Sequence, residues 1–302
     1  MTQSGSQTRS SPTPRQILAA LFPYLKTAAA YARQIQARIA TRPDKDGKDN
    51  FFAAALSDAD LSVQTMLEVA LLGTFPTIRF YGEEYEQSYN TKYFRAIDLG
   101  EQDDYLVTLD PIDGTQFYLD GHSNYQIILS VLNRDEFEAV ISLFPALHTY
   151  CYAVRGEGAW QGSLDDELEN CRPLDVEAAA PNAKIFLGWG MEALRTQLND
   201  RYQVIDIANA YSKEVQVPNS GGLLRGELAG AVSRGAQFID GAALAFIAQE
   251  AGCIVTTHAG DPPPPLHSCS DYWRPGLIMA TSASIHQDLL AAVQGLRVNS
   301  PA

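Results

Sequence analysis

Apolar residues at Leu21, Leu25, Ala28, Ala32, Ile35 and Ile39 recur at steps of four and three, laying one stripe along a long helix that begins after Pro14. Pro23 falls in its first turns and is expected to kink or restart it. The charged segment RPDKDGKDN at 42–50 breaks the pattern and reads as a loop. A second helix is signalled by Ser57 as cap, by Val63, Leu67, Ala70 and Leu71 on one face, and by Gly73 as stop. Ile78 and Phe80 then alternate as a strand does and run into Gly82-Glu83-Glu84.

Further along, LVTL leads straight into DPIDGT, and QIILSVL, FEAVISLF and HTYCYAV follow at intervals too short for helical crossovers. They read as an antiparallel meander closed by the turn and strand GEGAW at 156–160. From about residue 183 the texture changes to IFLGW, a helix near 191–199, VIDI, a glycine-rich patch near 220–230, a helix from about 240 to 251, IMA and a final helix. That alternation predicts an α/β lobe. The expected organisation is a tail at 1–14, an N-terminal α+β lobe at 15–182 carrying the antiparallel sheet, and a C-terminal α/β lobe at 183–298. The prolines at 262–265 form an extended surface loop, and there are no internal repeats.

Composition narrows the functions open to such a fold. With 302 residues, 46% of them hydrophobic, the chain can bury a large core. No run of about 18 apolar residues exists, so no membrane span is expected, and the N-terminus lacks the apolar core of a secretory signal. A net charge of −14 repels phosphate backbones and argues against a nucleic-acid polymer as partner. A small phosphorylated substrate would need a cation to bridge it. Residues 1–43 hold Arg9, Arg15, Lys26, Arg33, Arg38 and Arg42 and no acid. This start reads as a disordered tail before a helix or, alternatively, as an organelle-targeting segment. The four cysteines show no CxxC spacing, which argues against zinc and fits free thiols in a reducing cytoplasm.

Carboxylates cluster where elements meet loops: Asp60 at a helix start, Glu83 and Glu84 after a strand, Asp110 and Asp113 after a strand, Asp240 at a helix start. Each alone has a structural explanation, as a helix-dipole partner, a solvated loop or an Asx-type turn. Together, at the ends of neighbouring strands, they would point into one crevice. Two unit charges ~4 Å apart repel by about 4 kcal/mol at an effective dielectric near 20, so such a group shares a site only when cations join it. Oxygen ligands without His or Cys select Mg²⁺ or a similar hard cation.

The segments SDAD (57–60), YGEE (81–84), LDPIDGT (109–115), GEGAW (156–160) and IDGAALAFIAQEAG (239–252) stand in the order of one known family. On them the chain resembles the inositol monophosphatase superfamily of magnesium-dependent, lithium-sensitive phosphatases, over most of residues 15–295. The resemblance implies a layered α/β/α/β/α sandwich, two or three Mg²⁺ ions, hydrolysis of a phosphomonoester without a covalent intermediate, and a homodimer. It makes Glu83, Asp110, the Ile112 carbonyl, Asp113 and Asp240 metal ligands, and Asp60 with Thr115, beside Glu83, the catalytic group that activates water. Backbone N–H groups of Gly114 and Thr115 would hold the phosphate, with Gln116 and Asp240 facing substrate and Glu84 as an indirect metal partner.

Departures from the family pattern bear on substrate. Ile239 stands where a Trp is usual, and Asp44, Lys45 and Asp46 match the family's metal loop only loosely. The run Gln116 to Gly121 is closer to 3'(2'),5'-bisphosphate nucleotidases than to inositol phosphatases, and the helix around 219–230 is short. The expectation is therefore an Mg²⁺-dependent phosphatase of a small sugar- or inositol-type phosphate. A bisphosphate nucleotidase is the first alternative, and fructose-1,6-bisphosphatase a more distant one. A silent relative acting as a metal- or phosphate-binding regulatory protein is the alternative from another class.

Overall fold

The computed structural model describes residues 11–39, 57–84, 104–176 and 183–299. Helix α1 (Pro14–Ile35) is opened by a reciprocal cap, in which Thr13 Oγ1 accepts from the Gln16 N–H at 3.2 Å and Gln16 Oε1 accepts from the Thr13 N–H at 2.8 Å. Such a cap contributes about 1 kcal/mol. The helix runs on through Pro23, so of the kink or restart expected there the restart does not occur. It lies on the solvent face, and so does Ala19, whose carbonyl loses its helical partner to the proline ring and can be hydrated instead. Helix α2 (Asp58–Thr74) starts at Ser57 as expected but runs through Gly73.

Seven strands follow in chain order across one sheet: β1 (Arg79–Gly82), β2 (Leu106–Asp113), β3 (Gln126–Leu132), β4 (Phe137–Phe144), β5 (Thr149–Val154), β6 (Gly158–Ser163) and β7 (Arg172–Pro173). β1 is parallel to β2, and every later pair is antiparallel. The strand at LVTL is longer than its sequence signal, because it continues through both aspartates. Asp110 pairs with Ile128 and Asp113 with Gln126, so three steps on β2 oppose two on β3. In a regular strand residues three apart face opposite ways, but this bulge turns Asp110 and Asp113 to the same side.

A second sheet takes the order β11-β12-β10-β8-β9, from β8 (Lys184–Leu187), β9 (Gln203–Asp206), β10 (Gly230–Gln237), β11 (Ile254–Thr257) and β12 (Trp273–Ala280). Here β8 is parallel to β9 and β10, while β12 is antiparallel to β10 and β11. The helix expected near 191–199 is two short turns, Glu192–Leu194 and Arg195–Leu198.

Five layers result. Helices α1 and α2 cover one face of the first sheet, where Leu21 and Leu67 meet Val107 and Ile141. Three further described helices of five or more residues are α3 (Thr115–Leu119), α4 (Gly241–Glu250) and α5 (Ala283–Asn299). Residues Ala242 to Ala248 of α4 are all buried, as a helix apolar all round must be, and α4 lies between the sheets with Phe246 stacked 5.8 Å from Phe137. Each such large side chain contributes roughly 1.5–3 kcal/mol when fully buried. Leu289 and Val293 of α5 close the outer face of the second sheet against Ile185 and Ile278. The order is α/β/α/β/α, as the sequence resemblance implied. No described helix is long and apolar enough to cross a membrane.

Candidate active site

Parallel pairing brings the ends of β1 and β2 to one edge, with Gly82 opposite Leu109 and the Glu83 N–H donating to the Leu109 carbonyl at 3.2 Å. The chain leaves β1 at Glu83 beside the point where β2 presents Asp110, which is buried. Glu84 is held by its backbone, whose N–H donates to Gln64 Oε1 at 2.9 Å. Gln64 reaches that position from α2 across Gly82, where a Cβ would come within 2.4 Å of the Gln64 amide. The sequence reading missed Gln64, and the glycine before Glu83-Glu84 was its one trace.

Asp60 occupies the third position of α2 and is fully buried. Its Oδ2 accepts from the Ser57 N–H at 2.9 Å and from Ser57 Oγ at 2.5 Å, closing a capping box. Its Oδ1 accepts from Thr115 Oγ1 at 3.0 Å. The Thr115 hydroxyl also lies 2.9 Å from the Ile112 carbonyl, so one proton has two acceptors. Gly114 makes the turn that permits this, with φ +88° in the left-handed region and space for a Cβ limited by the Asn124 carbonyl at 3.3 Å.

Three carboxylates on different elements act on one another. Burial pushes Asp113 up to about 6, and Glu83 adds to the rise, while the Gln126 amide and the Arg225 charge oppose it. Asp240, at the N-terminus of α4, is pushed up to about 8 by burial and then by the charges of Asp113 and Glu83, against hydrogen bonds from backbone N–H groups including that of Gly241. Among the described residues, no three His, Cys, Asp or Glu side chains stand together closely enough to hold a metal ion. The donor chemistry nevertheless fits a hard divalent cation: the opposing groups are all oxygens, and their mutual repulsion is what a cation would reverse. Asp44, Lys45 and Asp46 lie outside the described residues.

The segment after Thr115 is fastened to the second half of the chain. Gln116 Nε2 donates to Asp120 Oδ2 at 2.8 Å, and the Tyr211 hydroxyl donates to the same oxygen, so the Gln116 amide nitrogen is engaged within the protein. His122 contacts the Lys213 carbonyl through Nε2 at 3.0 Å, the Ser123 N–H donates to Gln216 Oε1 at 2.9 Å, and Asn124 Nδ2 donates to the Val217 carbonyl at 2.8 Å. Ile239 is buried in the Trp position. The partners in 211–217 carried no local signal, since each pairs with a residue about 90 positions away in the chain.

This is an α/β/α/β/α protein in which carboxylates from the first sheet, Glu83 and Asp113, act on Asp240 at the start of α4, while Thr115, on the same β2–α3 segment as Asp113, pairs with the buried Asp60. The chain belongs to the inositol monophosphatase family, whose profile matches residues 15–297. It is 28% identical over 255 residues to the putative Nus factor SuhB of Neisseria meningitidis serogroup A, covering 79% of this chain and 88% of that one. It is 29% identical to the probable inositol 1-monophosphatase ImpA of Mycobacterium tuberculosis, covering 71% and 74%. A solved IMPase/NADP phosphatase complexed with Mg²⁺ and phosphate superposes with a TM-score of 0.66 at 17% identity, over 92% of this chain and 95% of the other. At that identity the likeness speaks for the fold.

Proposed function

We propose that this protein is a metal-dependent phosphomonoesterase that hydrolyses a small sugar- or inositol-type phosphate. The observation that carries this reading is the Thr115 hydroxyl, held between Asp60 Oδ1 and the Ile112 carbonyl next to the Asp113 and Asp240 carboxylates. Asp60 accepts the Thr115 proton, which leaves the Thr115 oxygen able to accept a hydrogen from an attacking water and aim it. Backbone N–H groups of Gly114 and Thr115, at the start of α3, donate to phosphate oxygens. Glu83, Asp110, the Ile112 carbonyl, Asp113 and Asp240 would hold Mg²⁺, which when bound supplies water activation and neutralises leaving-group charge. The Ile112 carbonyl has two lone pairs, so it can serve both Thr115 and a cation.

Release of phosphate from inositol 1-phosphate, a 3',5'-bisphosphate nucleotide or fructose 1,6-bisphosphate in Mg²⁺, and its suppression by Li⁺, tests the proposal. Silence on all three and on a wider monophosphate panel would remove it. The Neisseria relative's description as a putative Nus factor favours a second reading, a regulatory subunit that docks on a protein partner. A net charge of −14 weighs against direct contact with a nucleic-acid polymer in that role. The intact Asp60–Thr115 pair favours catalysis. A homodimer is part of the proposal, checked by light scattering. So is a cytoplasmic location, which accords with four cysteines that are all free.

A further inference from the structure

Gln126 opens β3 opposite Asp113, and its side chain is completely buried. Nε2 donates to Asp113 Oδ2 at 2.5 Å. Oε1 of the same amide is buried without a hydrogen-bond partner. A buried acceptor in that condition costs about 1–3 kcal/mol, so a native chain seldom leaves one unanswered. Nearby is a buried donor in the same condition, Arg225 Nη1. Both atoms pack against Gly221, where a Cβ would stand 2.2 Å from Gln126 Oε1 and 3.0 Å from Arg225 Nη1.

The rest of the Arg225 side chain is fixed. Its Nε and Nη2 donate to Glu227 at 2.7 and 3.1 Å, Nη2 also donates to Asn219 Oδ1 at 3.1 Å, and the guanidinium sits 5.2 Å over the Phe144 ring. Only 8% of the side chain is exposed. Asn219 in turn donates to the Asn124 carbonyl at 2.8 Å, two residues before Gln126. The loop 219–225 is thus clamped by buried hydrogen bonds to the Asn124 carbonyl, two residues before the Gln126 whose amide donates to Asp113.

We propose that Gln126 is a positioning residue for Asp113, and that Arg225 completes it by serving the second face of the Gln126 amide, directly or through one water. Nε2 takes one lone pair of Asp113 Oδ2 and fixes the plane of the carboxylate, leaving Oδ1 and the remaining lone pair of Oδ2 for a cation. Gly221 is required because any side chain there would push the amide off Asp113. It follows that whatever seats against the 219–225 loop alters the Asp113 carboxylate through Gln126. The inference rests on the reading of Asp113 as a metal ligand.

The test is Mg²⁺ binding by calorimetry, read beside thermal unfolding, with no substrate present. Gln126→Leu keeps the volume and removes the donor; it should weaken Mg²⁺ binding about tenfold or more. Gly221→Ala should weaken it comparably in the wild-type background and have no further effect in Gln126→Ala, where no amide is left to displace. Arg225→Met, which keeps the Gln126–Asp113 contact, should weaken binding measurably but by less than about tenfold; if Gln126→Leu fails to fold, wild-type affinity in both Arg225→Met and Gly221→Ala would overturn the inference. Wild-type affinity in Gln126→Leu and Gly221→Ala, or losses from Gly221→Ala and Gln126→Ala that simply add, would overturn the inference while leaving the metal reading in place. Absence of Mg²⁺ binding by the wild type would overturn both.

Discussion

Thr115 Oγ1 lies 3.0 Å from Asp60 Oδ1 in the buried joint between α3 and the first turn of α2. Fifty-five residues separate the two in the chain, and they meet because α2 packs on β2, whose end leads into α3. Asp60 has a second duty, since its other oxygen caps α2 through Ser57. Thr115→Val should lower kcat about 10²–10⁴-fold with little loss of stability, whereas Thr115→Ser should stay within about tenfold of wild type. Asp60→Asn should lose both activity and about 1 kcal/mol of stability, because it weakens the cap as well. Steady-state phosphate release and thermal unfolding separate these outcomes.

Asp113 faces Glu83 and Asp240 electrostatically and accepts from Gln126. Asp113→Asn should retain less than about a tenth of wild-type turnover, since it removes a charged oxygen donor from the proposed cation site. Glu83→Gln should weaken Mg²⁺ binding in calorimetry. An unchanged isotherm in Glu83→Gln would remove that residue from the ligand set.

The pH dependence has a definite sign. Asp113 and Asp240 are raised to about 6 and about 8, above the usual carboxylate range. A carboxylate raised in the folded state stabilises the fold fully below its unfolded pKa, near 4, and that contribution is lost as pH rises through the folded value. In EDTA, the melting temperature should therefore fall between about pH 5 and pH 8. Added Mg²⁺ should restore more at pH 8 than at pH 5.5, because cation and proton compete for the same oxygens. Equal Mg²⁺ shifts at both pH values would contradict the placing of these carboxylates at the cation site.

Gly114 sits at φ +88° and hands the chain from β2 to α3. Gly114→Ala should destabilise the protein by about 1–3 kcal/mol in urea unfolding, through left-handed strain and contact with the Asn124 carbonyl. Gly73→Ala has open space at the added methyl and sits inside α2, so it should be neutral or mildly stabilising.

Local signals were enough for α1, α2, the antiparallel meander and the all-apolar α4: a stripe, a cap, a short turn, an apolar run. The motif DPIDGT, with Glu83 and Asp240 in order around it, was enough for the family. What the sequence could not express was convergence. The bulge that turns Asp110 and Asp113 to one side depends on β3 pairing, and the fully buried Gln126 earned no notice as the first letter of an apolar run. Arg225 reads in sequence as an ordinary loop cation, yet it is sealed under Phe144 and Gly221. The run Gln116 to Gly121, which departs from the inositol phosphatase pattern, begins a segment fastened to residues 211–219 by partners about 90 positions away. Chain order determined which chemistry is present, because ligand type and spacing are properties of single segments. Tertiary structure decided which groups hold that chemistry in place, because a buried hydrogen bond is chosen by whatever packing brings within 3 Å.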